Sequence, residues 1–227
     1  MVVLLSPSKT FSNSKLKGSS KPYFINKTKV LLNKLKELNK DEIKDIFKVS
    51  DKLAEVIFNY YNNETLVSAI SLYQGEVFKA LNYENLTFKD NKLYILSALY
   101  GVLRPFDSIS KYRLDFNIKA FGNLYNYWSE DVSNYFKNNY QEDFIVDLSS
   151  NEFSKLLVNL DNVYKVNFKD NNNKRLSSVL LKQLRGYFAN VIINKNIKSI
   201  DGLKDLNVEG FIYDEDKSSK KTIIFSK

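Results

Sequence analysis

The 227-residue sequence contains no histidine and no cysteine, and only seven glycines and three prolines. Without cysteine there is no disulfide framework, thiolate nucleophile, iron–sulfur cluster or thiolate zinc site. Without histidine there is no imidazole base, no histidine-ligated haem and no histidine-containing metal triad. Proton transfer is left to Asp, Glu, Lys or Tyr, and any metal must be held by oxygen. The expectation is a protein with no cofactor and no assigned metal ligand. Scarce Gly and Pro leave no flexible linker, so residues 1–227 are read as one compact domain. Hydrophobic residues at 44% and aromatics at 14% are ample for a core. The opening residues 1–7 carry no basic region, and their apolar run is too short for a signal peptide or membrane span. That predicts a cytoplasmic chain with no membrane partner.

What is present is positive charge, +8 overall from 34 basic and 26 acidic residues. It is unevenly placed: residues 1–36 hold eight lysines and no acid, while the remainder balances at 26 basic against 26 acidic. Such asymmetry fits a wall or arm facing a polyanion, or a solvated lysine face. Arginine is the sharper marker, because only Arg104, Arg113, Arg175 and Arg185 occur. In a lysine-rich chain each marks a place for the planar, bidentate guanidinium, either on a phosphate or in a structural ion pair.

Val2–Leu5 predicts a buried strand that stops at Ser6-Pro7, followed by a polar loop over 8–21. Helices are predicted at 26–38 (Val30, Leu31, Leu35 and Leu38 on one face), 41–48, and from an N-cap at Ser50 to Tyr61 (Leu53, Val56, Ile57 and Tyr60 on a stripe). Others are expected at 66–73, 76–81, 92–99, 124–137 and 179–194, and strands at 144–148 and 163–168. Residues 111–116 read as strand or loop, and 210–213 with 222–225 as a hairpin with a long loop. Helices and strands mingle without a regular βαβ repeat, so the class is α+β with a mixed sheet.

Ser6-x-x-Lys9 matches the spacing of a serine–lysine nucleophile pair, but Lys9-Thr10 lies in the same loop and no separate Lys-Thr-Gly strand exists. Neither glycine-rich nucleotide fingerprint is present. The Ser6–Thr10 stretch still has the hydroxyls, amides and lysine of a small anion site at a strand end. Leu96-Ser97-Ala98-Leu99-Tyr100-Gly101-Val102-Leu103-Arg104-Pro105 is written like a helix-hairpin-helix, an element that grips the DNA backbone without reading sequence; a plain helix–turn–helix in the core is the alternative. Tyr125, Tyr127 and Trp128 are candidates for base stacking or for the core.

Taken together, several segments resemble the YaaA peroxide-stress-response proteins of bacteria. They are Leu5-Ser6-Pro7-Ser8-Lys9-Thr10, Val49-Ser50-Asp51-Lys52-Leu53-Ala54, Tyr73-Gln74-Gly75-Glu76-Val77-Phe78, and the block from Leu96 to Asp107 with Tyr112-Arg113-Leu114. Leu124-Tyr125-Asn126-Tyr127-Trp128, Leu148-Ser149-Ser150-Asn151-Glu152-Phe153, Lys182-Gln183-Leu184-Arg185-Gly186 and Glu209-Gly210-Phe211 continue it in order. The resemblance implies a cytoplasmic protein that limits peroxide damage by keeping free iron low. It further implies a single-domain α+β fold with a positively charged cleft, a helix-hairpin-helix-like element and affinity for duplex DNA. Ser8, Ala98, Gln183-Leu184 and Asp205 depart from the residues the family pattern leads one to expect.

The preferred function is a monomeric, double-stranded-DNA-binding stress protein. Lys9, Lys52, Arg104, Arg113, Lys182 and Arg185 would face phosphates, with Ser6 and Tyr100 hydrogen-bonding beside them. The alternative is an enzyme acting on a nucleotide, a damaged base or another phosphorylated compound, with Asp51, Asp107, Glu152 and Glu209 as acid/base candidates. Binding is preferred over catalysis, and any effect on iron is expected to be indirect, since no di-iron motif can be written without histidine.

Overall fold

The computed structural model describes residues 1–90, 92–172 and 174–227. Its strands are β1 (Val2–Leu5), β2 (Val67–Ser68), β3 (Lys92–Ser97), β4 (Gly101–Leu103), β5 (Ser108–Ile109), β6 (Ile145–Asp147), β7 (Val163–Lys169), β8 (Ile212–Tyr213) and β9 (Thr222–Ser226). Its α-helices are α1 (Ile25–Lys36), α2 (Lys40–Phe47), α3 (Asp51–Asn62), α4 (Ala69–Leu72), α5 (Glu76–Leu81), α6 (Leu124–Tyr140), α7 (Asn151–Ser154), α8 (Ser178–Asn194) and α9 (Ile200–Lys204).

Seven strands form a mixed sheet in the order β4-β3-β1-β6-β7-β9-β8, and β2 pairs with β5 in a separate ribbon. The five inner strands run parallel, while β4 and β8 are antiparallel edges. All four residues of β1 are fully buried, as expected for the centre of a sheet covered on both faces. From β1 the chain goes to β3 on one side and later to β6, β7 and β9 on the other. The sheet order therefore reverses between β1 and β6. Crevices that take ligands form at such reversals, beyond the carboxyl ends of the strands.

The α+β character, the mixed sheet and the C-terminal hairpin of β8 and β9 are as the sequence predicts. Several helix starts also follow their local chemistry. Asn39 closes a capping box with Glu42 at α2, and the Ser50 hydroxyl accepts from the Leu53 amide at α3. The buried side of α3 differs from the predicted stripe: Ala54, Ile57 and Tyr61 face inward, while Leu53 is exposed. Val30 of α1 is likewise exposed, and Thr28, Leu31 and Leu35 make its buried face. Residues 66–73 divide into β2 and the single turn α4, and 111–116 form an irregular loop.

The largest correction concerns 92–105. The expected helix at 92–99 is strand β3, and the expected helix-hairpin-helix is a β-hairpin, with Ile95 opposite Leu103 and Ser97 opposite Gly101. A continuous apolar run cannot be told from a buried helix by periodicity, and here the sheet takes it. Gly101 has φ +70°, and a Cβ there would lie 2.8 Å from the Trp128 ring. Trp128 is fully buried and donates its indole N–H to the Ala98 carbonyl at 2.8 Å, locking the turn onto α6.

Candidate functional site

A cavity of about 340 Å³ opens where β1 and β6 end. Ser6 leaves β1 and Ser150 follows β6; the Ser150 amide donates to the Ser6 hydroxyl at 2.8 Å, and the two hydroxyls lie 3.3 Å apart. One wall is residues 6–10, held to the start of α5 by the Gln74 amide bonding the Thr10 carbonyl at 2.9 Å. Glycine at 75 leaves room for the Ser8 side chain, since a Cβ there would fall 2.4 Å from the Ser8 hydroxyl oxygen and displace it. The opposite wall is α8, which presents Lys182 and Arg185.

The position of α8 has a local cause. A Cβ on Gly186 would sit 2.2 Å from the Val77 carbonyl and 2.7 Å from the Ala80 methyl, so glycine lets α8 lie directly on α5. The neighbouring Arg185 is thereby half-buried at the crevice. No hydrogen bond or ion pair joins its guanidinium to another described residue. Burial pushes its pKa below the ordinary value, and the nearby Asp147 opposes that shift.

Next to the crevice is a saturated polar cluster. Asp147 of β6 stands beside Lys165 of β7 in the parallel ladder, and its carboxylate accepts from Lys165 Nζ at 3.1 Å. It also accepts from the Ser149 amide (2.8 Å), the Ser149 hydroxyl (2.5 Å) and the Ser154 hydroxyl (2.6 Å). Lys165 donates further to the Ser149 carbonyl and the Ser154 hydroxyl. Its pKa is lowered by burial and, to a smaller extent, by Arg185; Asp147 acts against both. One buried carboxylate thus answers two cations, Lys165 in contact and Arg185 nearby, and one positive charge is left over. The cluster could have been sought in the sequence at Asp147, an acid inside an apolar strand, and at Lys165 in the next one. Ser149, Ser154 and Lys165 were not among the predicted site residues.

Of the eight predicted binding residues, Ser6, Lys9, Lys182 and Arg185 meet at this cavity. Lys9 pairs with Asp115 at 2.9 Å, and Asp115 also faces Arg113 Nε at 3.2 Å, which links Arg113 to the rim without placing it in the cavity lining. Lys52 is exposed on α3, outside the cavity. Tyr100 is buried, and its hydroxyl accepts from the Ser110 amide. Arg104 grips Asp107 through Nε (3.0 Å) and Nη2 (2.8 Å) and bonds the Lys21 carbonyl.

The four carboxylate candidates do not gather. Asp51 is exposed and paired with Lys44, and Asp107 is fully buried and committed to Arg104 and Ser20. Glu152 lies on α7, and Glu209 is exposed in a turn with φ +57°. Among the described residues no three acids come together as a metal site, and no helix is long and apolar enough to cross a membrane. Tyr125 stacks on Phe116 with ring centroids 4.5 Å apart, and Tyr127 donates to the Lys27 carbonyl, so both have protein partners. In the basic N-terminal segment, Lys9, Lys27 and Lys36 find acids from later in the chain, Asp115, Asp131 and Glu64.

A family model described as peroxide stress protein YaaA matches residues 1–217. The chain is 36% identical over 244 residues to a UPF0246 protein of Finegoldia magna, covering all of this chain and 98% of that protein. It is 34% identical to one of Clostridioides difficile and 32% identical to one of Rickettsia rickettsii, with both chains covered end to end in each case. With the match spanning nearly every element described above, including both ends of the crevice, the chain belongs to the peroxide stress protein YaaA family.

Proposed function

We propose that this protein serves peroxide stress resistance as a cytoplasmic monomer that binds the phosphate backbone of double-stranded DNA at the β1–β6 crevice. Any limitation of iron-dependent damage is an indirect consequence. The observation that carries this reading is Arg185, a half-buried guanidinium with no hydrogen-bond or ion-pair partner among the described residues. A cation withdrawn from water without a partner is unfavourable, and an anion in the crevice removes the deficit. Lys182 and Lys9 stand at the same cavity, and the hydroxyls of Ser6 and Ser150 add donors suited to phosphate oxygens. The exposed lysines of the first 36 residues raise the local positive potential and speed approach of a polyanion.

The test is fluorescence anisotropy on a short labelled duplex across a salt series. Log affinity should fall against log salt at about −0.9 per phosphate contact. Arg185→Ala and Lys182→Ala should each weaken binding of unrelated sequences alike and flatten the slope by about one. Unchanged affinity and slope in both variants contradict the reading.

A further inference from the structure

The geometry points to a pocket for a small phosphorylated ligand of nucleotide size, its phosphate held by Arg185, Lys182 and the Ser6–Ser150 hydroxyl pair. This rests on the crevice being the protein's anion site, as proposed above, but it asks for a different occupant. A cavity of about 340 Å³ lies at the lower end of the range for small-molecule sites, and a duplex cannot enter it. A duplex laid over the rim, where Lys9, Lys79 and Lys182 are exposed, would offer Arg185 no more than a backbone phosphate and would leave the rest of the cavity unfilled.

The cavity lining is mixed in chemistry: Ser6, Ser150 and Arg185 are polar, and Pro7, Val77 and Phe153 supply apolar wall against which a ring or sugar can lie. Glu76, also in the lining, is occupied by Lys79 and by Gln183, which donates to its second carboxylate oxygen at 2.9 Å. Its charge is therefore engaged on the α5–α8 side. Asp147, the other acid near Arg185, is taken by Lys165 and the two serine hydroxyls. Position in the fold agrees, because reversals of strand order in a parallel sheet are where phosphorylated cofactors and substrates are held. The ligand class is thus a phosphomonoester carrying a ring or sugar. A bare polyanion would leave the apolar wall unused.

The test is isothermal titration of the full-length protein with adenosine 5′-monophosphate, ribose 5-phosphate, inorganic phosphate and adenosine, run beside the duplex assay. The phosphorylated compounds should bind and adenosine should not. Arg185→Ala should weaken adenosine 5′-monophosphate at least tenfold, Arg185→Lys should recover part of the loss, and Lys52→Ala should leave it unchanged. Circular dichroism melts establish that each variant is folded. If the duplex binds and no phosphomonoester does, the inference is overturned and the DNA reading stands. If phosphomonoesters bind and the duplex does not, the inference stands and the DNA reading falls. Phosphomonoester binding indifferent to both Arg185→Ala and Ser6→Ala overturns the inference, because the ligand is then held elsewhere.

Discussion

Arg104 and Arg185 are two of only four arginines in the chain, and from the sequence they carry the same weight. Their surroundings are opposites. The Arg104 side chain is 45% exposed, yet its guanidinium is engaged with Asp107 and the Lys21 carbonyl. Arg185 is more withdrawn from water but has no such partner, with Asp147 already committed to Lys165. Exposure therefore misleads about availability. The accessible arginine ties the N-terminal segment to the β4–β5 connection, and the less accessible one carries charge that the fold leaves uncompensated. The same contrast holds for hydroxyls. Ser97, Tyr73 and Tyr112 bond one another in a closed buried network, whereas Ser6 and Ser150 pair at the edge of an open cavity.

The comparison breaks most visibly at Asp107. Its buried carboxylate accepts from the Arg104 amide and side chain and from the Ser20 hydroxyl, so Asp107→Ala removes the centre of a network. Chemical denaturation should show a loss of about 3 kcal/mol, at the low end of the buried-pair range because water screens Arg104. Duplex affinity per folded molecule should be unchanged. Arg185→Ala inverts the pattern: stability should stay within about 0.5 kcal/mol of the parent or rise, while binding falls at least tenfold, about 1.4 kcal/mol. An Arg185 variant that unfolds readily would make this arginine structural and erase the contrast.

A smaller effect distinguishes the closed hydroxyl network from the open one. Burial holds the Tyr73 and Tyr112 hydroxyls above their ordinary pKa, so the folded state keeps those protons where the unfolded chain releases them. Their contribution to stability is complete below the unfolded value of about 10 and declines as pH rises beyond it. Denaturation midpoints measured between pH 9 and 11, roughly one unit either side of the free tyrosine value, should fall with pH, and Tyr112→Phe should lessen the decline. Ser6→Ala should leave the alkaline profile unaltered.

Much of this was legible locally. The strand at Val2–Leu5, the capped helices α2 and α3, and the C-terminal hairpin each follow from side-chain pattern and cap chemistry within a few residues. Ser6 and Lys9 were also identifiable from the strand-end loop, Arg185 from the scarcity of arginine and Lys182 from the family resemblance, and folding brings them to one cavity across more than 170 residues of chain. What remained hidden depends on distant partners. That Arg104 is held at Lys21, or that Asp115 receives both Lys9 and Arg113, is decided by how the N-terminal segment is laid over the rest. Strand β3 was concealed for another reason: a run buried on both faces loses the alternation that marks a strand. The Asp147–Lys165 pair is a register contact between neighbouring parallel strands, and no spacing along the chain announces it.

The most direct measurement sets the two arginines side by side. Duplex affinity and its salt slope would be determined for the parent, Arg104→Ala and Arg185→Ala at a temperature where circular dichroism shows all three folded. The account predicts parental affinity and slope for Arg104→Ala. For Arg185→Ala it predicts at least a tenfold loss of affinity and a slope flatter by about one. Equal losses in both variants, or a loss confined to Arg104→Ala, would contradict it.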